Sequence, residues 1–314
     1  MYIQDTKGVM DMNNVLTREA MAARGVAMRI CNVAPGERIP TVTELVDQCS
    51  SSRGNIQKAL VNLREAGAVS LEPHGQNGTI LISVDYLKLA EICGKSHMIG
   101  AMPLPYTPRY EGLATSLFTL LNTDTVKSYI TFQRGSEARV QTLIDGVTDY
   151  CIMSLLAYES YVTRNYPVEL ALDCGQLSYV GQHAVFTREK GREDWNGAKV
   201  GIDASSVDQT TLTKRYFANY DVEYVPVQYT SILDMVRSGA LDAGVWNEDD
   251  LRIDMSDLEA HPIDISRTEE NTHAAIVVRK GDGLARQVLR TLIDIPALRT
   301  MQQQVIEGKV TARY

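Results

Sequence analysis

The chain lacks the segments that would take it into or across a membrane. No stretch approaches the roughly 18 to 20 uninterrupted apolar residues of a membrane span. Its first residues show no basic-plus-apolar signal region, so a cytoplasmic protein with no membrane partner is expected. Cysteine is scarce, at five in 314 residues. Cys31, Cys49, Cys93, Cys151 and Cys174 are odd in number, and none stands at zinc-ligand spacing from another cysteine or a histidine. They are expected as buried thiols, with no disulfide framework and no metal site. Catalytic signatures are missing too. There is no Gly-x-Ser-x-Gly elbow, no phosphate-binding Walker loop, no His-Glu-x-x-His and no Gly-x-Gly-x-x-Gly. No catalytic residue and no cofactor are therefore nominated, and a non-enzyme is expected.

Positive charge is also short, with a formal net charge of −8. The deficit is uneven. Residues 1–96 hold 10 Lys and Arg against 10 Asp and Glu, leaving 21 against 29 in the remainder. Between Val15 and Arg64 there are 7 basic and 4 acidic residues. A neutral head on an acidic body can present a local basic face, where a uniformly acidic chain would be repelled by nucleic acid. With 44% hydrophobic and 22% charged residues, the length suits two or three globular domains.

The most informative segment lies at residues 36–82. After Pro35-Gly36 and the helix-breaking Pro40, Thr41 with Glu44 forms a capping box, which predicts a helix from Val42 to about Cys49. The Ser50-Ser51-Ser52 run supplies a turn and the N-cap of a second helix. There Ile56, Ala59, Leu60 and Leu63 make one apolar face. Arg53, Asn55, Gln57, Lys58 and Asn62 point outward, the first two in the turn where a recognition helix approaches base edges. Gly67 stops this helix. Ala68–Glu72 and Thr79–Ser83 then alternate as two strands around a loop whose Gly75 and Gly78 permit positive φ. An Ala- and Met-rich helical stretch, Val15–Ile30, precedes the block, whereas residues 1–14 show no core pattern.

Gly36, Pro40, Glu44-Leu45, Ser52-Arg53, Ala59-Leu60, Leu63, Gly67, Gly75 and Gly78-Thr79 together resemble the GntR-type winged helix of bacterial transcription regulators. The resemblance implies double-stranded DNA as a partner. Contacts are expected from Thr43, Ser52, Arg53, Asn55, Gln57 and Lys58 and, in the wing, from His74 and Gly75. Thr43 and Gln57 stand where the family usually carries arginines. Affinity rests largely on neutralising phosphates, so a single head should bind weakly, and a homodimer on two half-sites would compensate.

The winged helix is placed at residues 1–84, followed by a linker helix at 85–97. From Met98, strand-like and helix-like runs alternate, which implies a parallel α/β architecture. Residues 143–153, LIDGVTDYCIM, and 236–246, VRSGALDAGVW, share apolar-x-x-Gly-x-x-Asp-x-x-apolar at an offset of 93. Gly146 matches Gly239 and Asp149 matches Asp242, with a helix ending at the glycine. This repeat implies two similar lobes. It resembles the type II periplasmic-binding-protein fold, also found in the effector domains of LysR-type regulators, over residues 98–314. Lobe one is assigned 98–178 and 273–314, and lobe two 180–265. The fold class expected is thus α/β, an N-terminal winged helix-turn-helix plus a C-terminal two-lobed domain. In that combination the chain is similar to the YhfZ-like regulators of enteric bacteria.

A small-molecule effector, polar and anionic, is expected beyond the carboxyl ends of the strands, where helix N-termini converge. In lobe two the nominees are Ser205, Ser206 and Gln209, with Trp246 as an apolar wall. In lobe one they are Arg134, Gly135 and Ser136 after a strand, Ser154 after another, Tyr110 with Tyr106 and Arg109, and Thr272 and His273 on the return into the lobe. Glu248-Asp249-Asp250 is read as a solvated helix start. Two alternatives remain open: a solute-sensing or interaction protein whose winged helix no longer binds DNA, and an enzyme on the same two-lobed fold.

Overall fold

The computed structural model describes residues 17–249, 254–264 and 269–314. Residues 1–14 of the sequence reading, and Asp250, lie outside them. The chain divides into two compact units, residues 1–95 and 96–314.

In the first unit Thr17 caps α1 (Arg18–Ile30). The capping box opens α2 (Val42–Cys49): Glu44 N donates to Thr41 Oγ1 at 3.2 Å and Thr41 N to Glu44 Oε2 at 2.6 Å. Ser50 turns left-handed at φ 48°, and Ser52 caps α3 (Arg53–Glu65). Ile56, Ala59 and Leu63 of α3 are buried, as are Ala22, Val26 and Ile30 of α1, on which α3 packs. Each large apolar side chain so buried stabilises the unit by about 1.5–3 kcal/mol.

The wing is an antiparallel pair, β1 (Val69–Pro73) and β2 (Thr79–Val84). Its edge is used. Leu81 N donates to Glu37 O at 2.9 Å and Ile39 N to Thr79 O at 2.9 Å. This pairing lays Arg38 so close to Gly78 that a Cβ there would stand 2.6 Å from Arg38 Cδ. The stretch expected to be a linker helix is corrected by its packing. Asp85 caps α4 (Tyr86–Ile92), whose Leu89 and Ala90 are buried in contact with α1. The helix is therefore part of the first unit.

The second unit holds two five-stranded sheets, one per lobe. Lobe one contains β3 (His97–Met102), β4 (Lys127–Phe132), β5 (Tyr150–Ser154), β6 (Val168–Asp173) and β12 (Ala274–Arg279), in the order β4-β3-β5-β12-β6. Lobe two contains β7 (His183–Thr187), β8 (Lys199–Ile202), β9 (Glu223–Pro226), β10 (Ala243–Asn247) and β11 (Glu259–Pro262), in the order β11-β7-β10-β8-β9. The all-parallel expectation needs amendment at one strand in each sheet. β7 and β12, the first strands after each crossover, run antiparallel to both neighbours. A chain that crosses between two sheets enters from the opposite end.

The helices of lobe one are α5 (Pro108–Leu121), α6 (Ser136–Ile144), α7 (Leu155–Thr163), α10 (Gly283–Leu292) and α11 (Ile295–Ile306), and those of lobe two α8 (Val207–Tyr216) and α9 (Ile232–Ser238). Val140, Leu143, Ala157 and Tyr161 close one face of the first sheet, and α11 packs along α5. In lobe two Trp195, Leu212 and Phe217 form one core, and Ile232, Leu233, Val236 and Trp246 another.

The internal repeat has a specific structural meaning. Asp149 N donates to Ile99 O and Asp149 Oδ2 accepts from Ile99 N, both at 2.8 Å. Asp242 repeats the arrangement with Lys199, again at 2.8 Å twice. Each aspartate thus pins the first long parallel strand of its lobe. The preceding glycines, Gly146 (φ 76°) and Gly239 (φ 78°), provide the left-handed turn that delivers it.

Candidate functional site

In the first unit, Thr43, Ser52, Arg53 and Gln57 are exposed and Asn55 is half-buried. The Ser52 hydroxyl is engaged, accepting from Asn55 N at 3.3 Å. Lys58 does not stand free toward a partner. Its ammonium pairs with Glu19 of α1 at 2.5 Å, both side chains about half exposed. Such a pair is worth little in water, so a phosphate could replace it. In the wing His74 lies 3.3 Å from Glu72, and Gly75 sits at φ 56°. Sequence reading passed over Arg38, which the pairing of residues 37–39 with β2 carries to the wing.

The second unit contains a cavity of about 810 Å³ between its lobes, within the range of small-molecule sites. Of the nominated residues, Tyr106, Tyr110, Arg134, Gly135, Ser136, Ser205, Ser206, Gln209 and Trp246 line it. The β4–α6 and β8–α8 loops and the helix starts they lead into bring six of them together there, while Tyr106 comes from just before α5, Tyr110 from α5 and Trp246 from the end of β10. The lobes also touch across it. Ser154 Oγ donates to Asp208 Oδ1 at 2.5 Å, Arg134 Nη1 to Thr230 Oγ1 at 3.0 Å, and Arg109 Nε to Asp249 Oδ2 at 3.0 Å. Asp249 also accepts from Gly181 N, so it is a strap at the crossover rather than a solvated helix start.

Four nominees do not line it: Arg109, held by Asp249 and the Leu177 carbonyl, and three others. Ser154 is fully buried; it caps α7 and reaches the cavity only through Asp208. Thr272 is buried in the second crossover, where its hydroxyl donates to Glu269 O and accepts from Leu177 N while its carbonyl takes Tyr179 N. His273 Nδ1 meets Asp173 at 3.0 Å. Both sit at the cleft end of the first sheet, but neither lines the cavity, and their polar atoms tie the two crossovers together.

The polar chemistry of the cavity differs from what serines alone would supply. Ser205 Oγ donates to Asp203, Ser206 caps Gln209 N, Ser136 Oγ meets Tyr161, and both ends of the Gln209 amide hold the β8 loop. The available donors are elsewhere. No side chain caps α6, whose N-cap is Gly135 at φ 73°, so its first-turn N–H groups face the cavity end with partial positive charge. One turn in stands Arg139, 3% exposed. It donates to Ile152 O at 2.9 Å, Gln133 O at 2.8 Å and the Tyr179 hydroxyl at 3.4 Å. All three acceptors are neutral. A guanidinium has five N–H donors, so two remain beyond these. Among the described residues Arg139 has no salt bridge. It was legible in principle, because it falls at helical spacing on the inward face of α6 with Ser136, Val140 and Leu143.

Asp208, from the first turn of α8, also lines the cavity. Burial pushes its carboxyl up to about 6, against the opposing pull of the Ser154 hydroxyl and the Arg139 charge. His183, also lining, is pushed down to about 4 by burial. The signs are opposite. Asp208 contributes most to stability below its ordinary value of 3.8 and loses that contribution as pH rises through 6. His183 costs stability below about 4, and that cost disappears as pH rises through 6.5. Asp208→Asn keeps an acceptor for Ser154 and removes the first effect alone. The variant should match the parent near pH 4 and exceed it by about 1–3 kcal/mol at pH 7. Thermal melts across that range check this, and a pH-independent difference would contradict it.

Residues 85–314 match the family of YhfZ C-terminal domains, and residues 34–81 match a helix-turn-helix domain family. The chain is 36% identical over 303 residues to the protein YhfZ of Escherichia coli (strain K12), covering 95% of this chain and 98% of that protein. A crystal structure of YhfZ from Shigella flexneri is similar, with a TM-score of 0.64 and 35% identity over 73% of this chain and 98% of that one. The periplasmic aliphatic sulphonate binding protein SsuA from Escherichia coli shares the fold, with a TM-score of 0.53 and 9% identity over 68% of this chain and 75% of that one. Among the described residues no helix is long and apolar enough to cross a membrane. A helix-turn-helix head and a body of periplasmic-binding-protein fold fit a regulator with an effector domain, and the chain belongs to the YhfZ family.

Proposed function

We propose that the chain is a DNA-binding transcription regulator whose two-lobed body binds a small polar, anionic metabolite between its lobes. The head is of the GntR type and reads DNA with the first turn of α3, supported by the wing. The protein acts in the cytoplasm as a homodimer on two half-sites and catalyses no reaction. One observation carries the ligand half: the uncapped start of α6 stands over a buried arginine whose partners are all neutral, in a cavity of metabolite size. An anion there would give Arg139 a charged partner in direct contact, which Asp208, feeling its charge without a salt bridge, does not supply. By bridging the lobes it would favour the closed state held by Ser154–Asp208 and Arg134–Thr230. The ligand controls DNA binding only as far as it binds open and closed states differently.

The test of the DNA half is a gel shift of the full chain on duplex DNA from upstream of its own gene, over a salt series. Retention at low salt that falls steeply with salt is expected, by a factor of about 10³ or more between 50 and 200 mM if six or more phosphates are neutralised. Absence of retention at low salt would sink this reading and favour a solute-sensing or interaction protein.

A further inference from the structure

The cavity is aromatic on both sides, and this narrows what can fill it. On lobe one, Tyr106, Tyr110 and Tyr179 form an edge-to-face chain with ring centroids 5.3 and 5.1 Å apart. On lobe two, Tyr229 lies flat on Trp246, with centroids 4.2 Å apart and planes 6° from parallel. All five line the cavity. The Tyr229 hydroxyl accepts from Asn247 N at 2.8 Å, which fixes its ring. Tyr110 and Tyr229 line the same cavity from the two lobes, and burial holds the Tyr110 hydroxyl well above its ordinary value. The walls join the positive pole directly, because the Tyr179 hydroxyl takes one N–H of Arg139. On the other wall the Trp246 indole N–H is buried and finds no partner among the described residues.

We propose that the metabolite is an aromatic acid, its ring held between the Tyr106–Tyr110 wall and the Tyr229–Trp246 stack and its carboxylate or sulfonate held by Arg139 and the first turn of α6. This rests on the anion-binding reading of the cleft and adds the ring to it. A saturated acid of the same size buries similar apolar area but lacks the ring quadrupole that makes aromatic contacts directional. The difference amounts to about two- to tenfold in affinity.

Thermal melts of the full chain test this with matched probes: benzoate against cyclohexanecarboxylate, benzenesulfonate against cyclohexanesulfonate, and benzamide as the uncharged ring. Each is titrated into the tens of millimolar, and the concentration giving half the maximal stabilisation is read. The expected result is that the aromatic acids act at about two- to tenfold lower concentration than their saturated partners, and benzamide acts more weakly than benzoate. Saturated acids equal to the aromatic ones would overturn the aromatic slot while leaving the anion reading in place. Benzamide equal to benzoate would overturn the acid-holding pole and the anion reading with it. No stabilisation by any probe would overturn both. Tyr106→Leu keeps apolar volume at a partly exposed position and should bring the aromatic preference close to one. A preference that persists unchanged would overturn the placement of the ring.

Discussion

Arg139→Leu is expected to weaken binding of an acid in the cleft by about thirtyfold to several thousandfold. Removing one partner of a buried, hydrogen-bonded charge pair costs about 2–5 kcal/mol, at 1.4 kcal/mol per decade. Its effect on folding should be smaller, because two terms oppose. The carbonyls of Ile152 and Gln133 lose their donor, at about 1–3 kcal/mol each when left unsatisfied. Against this, a buried cation that has no ion pair among the described residues is removed, and replacing buried charge by apolar volume is often neutral or stabilising. Calorimetric titration with the most stabilising acid separates the two effects. Arg139→Lys retains the charge but not the fork that spans Ile152, Gln133 and Tyr179, so it should recover only part of the affinity. An Arg139→Leu chain that folds and binds acid as the parent does would exclude Arg139 from the site.

The second large effect concerns the head. Arg53→Ala should weaken binding to a specific site by about 1–3 kcal/mol if the guanidinium takes a guanine edge, and should relax sequence preference at one position. Lys58→Ala should behave differently. Its ammonium is already paired with Glu19, so it gives up a weak ion pair to reach a phosphate. The expected outcome is a modest, sequence-independent loss and a salt slope smaller by about one. Fluorescence anisotropy on matched and mismatched duplexes distinguishes these. Equal affinity of Arg53→Ala and parent on the specific duplex would remove Arg53 from the interface.

Where local rules decide the outcome, the sequence was a good guide. The Thr41–Glu44 box, the Ser52 cap and the wing glycines are short-range devices whose chemistry is complete within a few residues, and the helices and strands begin where these place them. The repeat at Gly146–Asp149 and Gly239–Asp242 was visible as a pattern. Its purpose, each aspartate clamping a strand some 40 or 50 residues away, depends on sheet order and was not. Long-range pairing also hid the rest. Asp208 was not singled out, because an acidic residue in a first helical turn is common, and only the approach of the other lobe sets it against Ser154. Thr272 and His273 had the right position along the chain, but the crossovers consume their polar atoms. The arginine chosen from the loop, Arg134, is exposed at the rim, while the buried one is a turn further on. Helix α4 was read as part of a linker at 85–97, yet Leu89 and Ala90 are buried and the helix falls within the first compact unit.

The central claim is that the head reads DNA. Selection of the full chain against random-sequence duplexes, in low salt and with nonspecific competitor, tests it most directly. The account predicts enrichment of an inverted repeat whose half-sites lie about one helical turn apart, or a multiple of it, lost when Arg53 is replaced by alanine. Recovery of no sequence above background would contradict it.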